Sequence, residues 1–232
     1  SVWDIDVARA AFEASGLKPI HIRPLLGWLL RHPEVQSWED VGARWESEAL
    51  LRNVPLAARK LLCARFAVSS SRVEAREDSA DGATTKLAVA LSDGLRVETV
   101  LMRHGGRTTA CVSSQVGCAM GCTFCATGTM GIVGDLTAGE IVEQLLHGRR
   151  LGLSAFSEPS RSLPAGEPLN NYRAVTSAVR LLTDASLFGL RASSVTVSTV
   201  GVCLAKCRRS FAADLPGVSL ALSLHAPTQH KR

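Results

Sequence analysis

Residues 117–125 read Gly117-Cys118-Ala119-Met120-Gly121-Cys122-Thr123-Phe124-Cys125, three thiols separated by gaps of three and two residues on a segment that also carries two glycines. Such a loop constrains the fold around it, because it must stay open enough for the sulfurs to converge while the flanking elements hold its ends. Three thiolates from one loop leave a tetrahedral zinc site one ligand short. They can instead hold three irons of a cubane and leave the fourth iron open to a substrate. The competing readings are a zinc site completed by Cys111 or a distant histidine, and a disulfide. All seven cysteines together form an odd set, clustered rather than spaced in pairs, which suits a reducing compartment.

Length and composition describe an ordinary globular chain: 232 residues, 46% hydrophobic and 20% charged, enough for a sizeable core. No apolar run approaches the roughly 18 residues that span a bilayer. The first residues, Ser-Val-Trp-Asp, show neither a basic leader nor an apolar signal core, so the expected location is the cytoplasm, with a chloroplast or mitochondrion as the alternative. The formal charge of +5 is compatible with a polyanionic partner but too small to demand one.

Helical periodicity dominates residues 1–68. One helix is expected from about Ile5 to Ala14, ending at Gly16. A second carries Ile22, Leu25, Leu26 and Leu29 and stops before Pro33. A third starts at Ser37 with Asp40 in its first turn and presents Trp38, Val41 and Trp45; a fourth follows Pro55 with Leu61, Leu62 and Phe66. Lys18, Arg23, Arg31, Arg44, Arg52, Arg59 and Lys60 either form a phosphate-contacting face or are simply solvated. Residues 69–82 have the composition of a mobile connector. A hairpin follows, Lys86–Leu91 and Leu95–Met102 around Ser92-Asp93-Gly94. Thr108–Ser113 reads as a strand feeding the cysteine loop, and Thr137-Ala138-Gly139-Glu140 as a capping box opening a helix. Asn170 is expected to cap another helix. Strands are expected at Val195–Thr199 and Val218–Leu224, with a helix containing Cys203 and Cys207 between them and neither thiol a ligand.

The spacing Cys-x-x-x-Cys-x-Phe-Cys is the signature of radical S-adenosylmethionine (SAM) enzymes, and further runs narrow the match. Cys111-Val112-Ser113-Ser114-Gln115-Val116-Gly117-Cys118, Cys125-Ala126-Thr127-Gly128, Gly166-Glu167-Pro168-Leu169-Asn170-Asn171-Tyr172, Val195 to Thr199, and Ser219 to Ala226 resemble the RlmN/Cfr family of RNA adenine methyltransferases. That resemblance implies an α/β fold: a partial radical SAM βα barrel over residues 105–232, preceded by a linker and β-hairpin at 69–104 and a helical accessory domain at 1–68 that takes part in RNA recognition. It also implies that Cys118, Cys122 and Cys125 ligate a [4Fe-4S] cluster. Gly166 and Glu167 would contact the amino end of SAM, and Ser198, Ser223, Leu224 and His225 would line the rest of its site. Glu98 would take the ring proton from carbon 2 of adenine, and Cys111 would attack a methyl-carrying cysteine, closing a disulfide. The implied partners are RNA, ribosomal and also transfer RNA, and an electron donor such as flavodoxin or ferredoxin; the oligomeric state is not implied.

The chain departs from the pattern in three places. Where the family has Gly-Phe-x-Arg-Asn-Leu it reads Gly131-Ile132-Val133-Gly134-Asp135-Leu136. Residues 154–165 contain two prolines and four serines and make a poor central strand, so either that strand is lost or another segment replaces it. The carrier cysteine lies far beyond the His225-Ala226-Pro227 motif in the family and has no counterpart here, which marks the chain as a truncated or partial one. The function expected is RNA adenine carbon-2 methylation. The alternatives are a radical SAM enzyme with another substrate and an inactive iron-sulfur or RNA-binding remnant.

Overall fold

The computed structural model describes residues 1–153, 162–202, 210–224 and 226, with only the backbone of 162–165. Helix α1 (Ile5–Ala14) buries Ile5, Ala8, Ala11 and Phe12, and the chain leaves it through Gly16 at φ 69°. Helix α2 (Ile22–Arg31) buries Ile22, Leu25, Leu26, Leu29 and Leu30. The expected third helix starts with the Ser37–Asp40 capping box but breaks at once. Gly42 sits at φ 35°, and the segment becomes three short pieces, α3 (Trp38–Val41), α4 (Arg44–Ser47) and α5 (Ala49–Arg52). Trp38 and Trp45 still stack across the break, with ring centroids 6.0 Å apart. Helix α6 (Leu56–Arg65) closes the bundle over Leu62. Several of the basic side chains singled out above are engaged within the protein: Arg23 pairs with Asp184 at 2.8 Å, Arg44 with Glu34 at 2.9 Å, and Arg59 with Glu46 while lying over the Trp45 ring.

The segment expected to be a connector contains a strand. β1 (Arg72–Asp78) pairs antiparallel with β2 (Thr84–Ala90), its exposed face held by Arg72–Glu74, Arg76–Asp78 and Arg96–Glu74 ion pairs. Its composition reads as loop because nearly every side chain is solvated, and a charged edge strand has that composition for a physical reason: it resists pairing with another chain. β3 (Arg96–His104) completes the hairpin through Gly94 at φ 85°. It then pairs antiparallel with β4 (Arg107–Ser113), so the hairpin and the strand that feeds the cysteine loop share one five-stranded sheet in which β1, β2, β3 and β4 are successive neighbours.

The fifth member is β7 (Ser162–Ala165), parallel to β4 in the register Cys111↔Leu163 and Ser113↔Ala165. Of the two expectations for the strand before Gly166, loss or replacement, loss is thus set aside: residues 162–165, Pro164 included, supply a strand there. A four-residue partner satisfies the sheet where a longer apolar run was sought. Ser154 to Arg161, Cys203, Cys207 and His225 lie outside the described residues.

Helix α8 (Ala138–Arg150) covers one face of this sheet. The Thr137–Glu140 capping box starts it, and Ile141, Val142, Leu145 and Leu146 are buried beneath it. Gln144, fully buried, accepts from Thr99 Oγ1 at 2.9 Å and Ser113 N at 2.7 Å and donates to the Ser113 carbonyl at 2.8 Å, so one amide pins the end of β4. Helix α9 (Tyr172–Thr183) packs beside α8. Its N-cap is Asn171 rather than Asn170, and the Asn171 side chain does not cap but donates to Ser114 O and Leu136 O. β8 (Thr196–Thr199) and β9 (Ser219–Leu222) pair in parallel as a separate two-stranded ladder.

A polar latch joins the end of the N-terminal bundle to α8. The buried Glu143 carboxylate accepts from Ser1 Oγ and from the backbone N–H and hydroxyl groups of Ser70 and Ser71. His147 Nε2 lies 2.9 Å from Ser71 Oγ, and Arg150 reaches Ser69 Oγ and the Pro33 carbonyl. Burial first, and the neighbouring Arg150 guanidinium second, push His147 down from 6.5 to about 4. The unfolded chain therefore binds the extra proton first, and the stability gained from a neutral His147 is present above pH 6.5 and is lost as pH falls toward 4. The gap between those values corresponds to about 3 kcal/mol. Urea unfolding across that window is expected to show this loss in the native protein and a flatter profile in His147→Gln.

Candidate functional site

The cysteine loop rises from the C-terminal end of β4. Past Ser114 the chain forms β5 (Gln115–Gly117), which pairs antiparallel with β6 (Ile132–Asp135), and this two-stranded neck holds both ends of the loop. Gly117 makes the neck possible. It has φ 77°, and a Cβ there would lie 1.8 Å from the Gly131 carbonyl oxygen, which itself accepts from Cys118 N at 3.0 Å. Within the loop Cys125 N donates to Cys122 O, and the short helix α7 (Ala126–Thr129) begins at Cys125. A Cβ on Gly128 would lie 2.9 Å from both the N and O of Cys122, so this glycine lets the helix approach the second thiol.

Cys118 is buried, Cys122 and Cys125 are half-buried, and all five described cysteines are free thiols. The disulfide expected at Cys111 is therefore not found among the described residues; the second cysteine such a bond requires is not among them. No three His, Cys, Asp or Glu side chains among the described residues stand in a metal-holding arrangement, so the case for a cluster rests on the donor set of the loop. That set fits: three unpaired sulfurs on one neck-held loop, with no carboxylate or imidazole between Cys118 and Cys125. Phe124, Met130, Ile132 and Val133 are exposed around it and give the loop an apolar rim.

Gly166 follows β7 with φ 92°, and a Cβ there would press on Gln115 Cβ at 3.1 Å and Ser114 Oγ at 3.3 Å. Glu167 is buried, and its carboxylate is engaged inside the protein. Oε1 accepts from Thr199 Oγ1 at 2.6 Å and Leu169 N at 3.1 Å, and Oε2 from Val200 N at 2.9 Å. Its backbone N donates to Gln115 Oε1 at 2.9 Å, while Gln115 Nε2 donates to Asp135 Oδ1 at 2.6 Å. One hydrogen-bonded chain thus runs from the neck of the cysteine loop through Gln115 and Glu167 to the end of β8.

Ser198 lies on β8 opposite Ala221 of β9, and Ser223 N donates to Thr199 O at 2.8 Å just past β9; Leu224 is exposed beside it. Gly166, Glu167, Ser198, Ser223 and Leu224 therefore all sit at or beyond the C-terminal ends of parallel strands, the end from which the cysteine loop also rises. Sequence reading passed over Gln115, Asp135 and Asn171, although Gln115 and Asn171 lie inside the matched runs. For Gln115 and Asp135 a polar side chain between small or apolar neighbours is the available signal.

The other face of the sheet, away from α8, carries Glu98 and Cys111. Cys111 pairs with Val100, so Glu98, two residues along β3, is its diagonal neighbour on the same face. Glu98 is exposed and pairs with Lys86 at 3.3 Å. Burial pushes the Cys111 thiol above its ordinary value, which keeps it protonated near neutral pH. Iodoacetamide is accordingly expected to label Cys111 slowly at pH 7.5 and faster as pH rises beyond the ordinary thiol range; mass spectrometry of the labelled peptides checks this.

No family model matches the chain. Curated relatives do. A protein of Opitutus terrae described as "Probable dual-specificity RNA methyltransferase RlmN 2" is 41% identical over 250 residues, covering 93% of this chain and 55% of the relative. The dual-specificity RNA methyltransferase RlmN 1 of Myxococcus xanthus is 48% identical over 157 residues, 66% of this chain and 43% of the relative. Among solved structures, a radical SAM methyltransferase from Sphaerobacter thermophilus superposes with a TM-score of 0.80 at 32% identity, covering 100% of this chain and 65% of that one. The chain thus spans about half the length of the curated relatives it matches. With the cysteine loop, the parallel strand ends and this similarity in agreement, the chain belongs to the RlmN family of radical SAM RNA methyltransferases.

Proposed function

We propose that this chain takes part in the methylation of carbon 2 of adenine in RNA, ribosomal and transfer RNA alike, and that it supplies the cluster, SAM and base-proximal part of the site. The observation that carries the reading is the neck-held loop of three free thiols at the C-terminal end of β4, tied through Gln115 to the Gly166-Glu167 segment. Cys118, Cys122 and Cys125 would hold a [4Fe-4S] cluster whose open iron binds SAM and supplies one-electron cleavage of the sulfonium.

Every other role falls to the protein's own groups. The open turn at Gly166 and the ends of β8 and β9 near Ser198, Ser223 and Leu224 would orient SAM, with His225 of the matched motif also assigned there. Glu167 would act through its backbone and through the position it gives its neighbours, because its carboxylate is already engaged with Thr199 and Val200. Glu98 would accept the ring proton at its exposed carboxylate, beside which the Lys86 ammonium stands at 3.3 Å. Cys111 would donate the attacking sulfur once deprotonated. RNA and a low-potential electron donor of the flavodoxin or ferredoxin kind are the partners this chemistry requires. No helix among the described residues is long and apolar enough to cross a membrane.

The test is anaerobic reconstitution with iron and sulfide, reduction, and measurement of 5′-deoxyadenosine from SAM. Cleavage of SAM that rises when RNA is added is the expected outcome. Absence of cleavage in a protein that has taken up the cluster would overturn the proposal.

A further inference from the structure

A second polar site lies at the opposite end of the parallel strands. A cavity of ≈ 610 Å³ opens between the β3–β4 turn and the segment that leads into β8, lined by His104, Arg107 and Thr109 on one side and Arg191, Ser193 and Ser194 on the other. The β3–β4 turn is made by Gly105 and Gly106, both with positive φ, and it holds His104 directly opposite Arg107. Arg107 and Arg191 are exposed, and neither pairs with a carboxylate among the described residues.

The chemistry of this lining differs from that of two other cavities on the same molecule. Those contain Asp4 and Asp6 in one case and Asp6 and Asp184 in the other, so the positive groups near them are at least partly neutralised. The cavity between the turn and β8 has two guanidinium groups, an imidazole and three hydroxyls, and no carboxylate among the described residues that line it. Two guanidinium forks and several hydroxyl donors around one concavity match the oxygens of a phosphate group, which accepts many hydrogen bonds at once.

We propose that this cavity binds a phosphate group, and that the phosphate is that of an RNA backbone passing the face of the protein remote from the cysteine loop. The RNA source rests on the function proposed above; the anion site does not. The distance agrees with an extended nucleic acid. From Glu98 to His104 the β3 strand runs six residues, about 20 Å at roughly 3.3 Å per residue. A ligand gripped at the cavity while its base is presented near Glu98 must therefore be a macromolecule, whereas a free nucleotide in the cavity would have no part in the chemistry.

The experiment compares the native protein with Arg107→Ala/Arg191→Ala and with Arg107→Lys/Arg191→Lys. Fluorescence anisotropy of a labelled RNA hairpin is read at several salt concentrations, and pyrophosphate is titrated in a parallel arm while arginine Nε–H resonances are followed by NMR. The alanine pair is expected to bind RNA about tenfold more weakly, with the dependence of log K on log salt shallower by about 1.4, the share of two single-strand phosphate contacts. The lysine pair keeps most of the slope. Saturable pyrophosphate shifts without any change in RNA binding assign the site to a free phosphate ligand and overturn the RNA source. If the native protein binds no RNA, the functional reading fails instead, and the pyrophosphate arm alone decides the site. Unchanged RNA binding in the alanine pair together with no saturable shift overturns the proposal entirely.

Discussion

Cys122→Ala is expected to reduce the iron taken up on anaerobic reconstitution from about four atoms per chain to a small remainder, and SAM cleavage with it. The thiol lies between the other two in sequence, and Gly128 lets α7 approach its backbone, which fixes the middle of the loop. Cys118→Ala and Cys125→Ala should behave alike, because two thiolates cannot retain a cubane. Cys111→Ala is the informative contrast. If the loop held zinc with Cys111 as fourth ligand, that variant would lose metal; if the loop alone binds a cluster, its iron content stays at the native level. Cys111 lies on β4 paired with Val100 and Leu163, within the sheet rather than on the loop, which favours retention.

The second large effect is predicted for Gly117→Ala. An added Cβ would lie 1.8 Å from the Gly131 carbonyl oxygen, an overlap that only backbone movement can relieve, and φ 77° is itself unfavourable for alanine. The β5–β6 neck must then part, at a cost of about 4 kcal/mol or more. Both thermal unfolding and iron uptake should record it, since the neck fixes where the loop begins and ends. Gly121→Ala provides the comparison. Gly121 also has positive φ, 61°, but nothing lies within 4 Å of a Cβ there, so only the backbone cost of about 1–2 kcal/mol applies. Equal losses in the two variants would show that the neck has no special part in holding the loop.

Much of this architecture was legible in the residues. Apolar spacing located α1 and the buried face of α2, Ser92-Asp93-Gly94 located the hairpin, and the Thr137–Glu140 box located the start of α8. These are local signals, produced by neighbours in sequence. The misreadings share the opposite cause. β1 looks like a loop because its partner strand, not its own side chains, makes it a strand. Residues 162–165 look unfit for a sheet because only β4 defines their register. The helix at Ser37 looks continuous until Gly42 takes a conformation that periodicity does not report.

The site divides in the same way. The three thiols are visible in sequence because one loop carries them all. Glu98 and Cys111 could be named only by resemblance, because their shared sheet face depends on the antiparallel register of β3 and β4. The engagement of the Glu167 carboxylate by Thr199 and Val200, and its link through Gln115 to the neck, depend on contacts more than 30 residues apart in sequence and leave no local trace.

The most direct test of the account is metal analysis with an absorption spectrum on protein purified and reconstituted without oxygen. About four irons and a matching amount of sulfide per chain, with a broad brown absorption that bleaches on reduction, is the predicted result. Stoichiometric zinc in a colourless protein would contradict it.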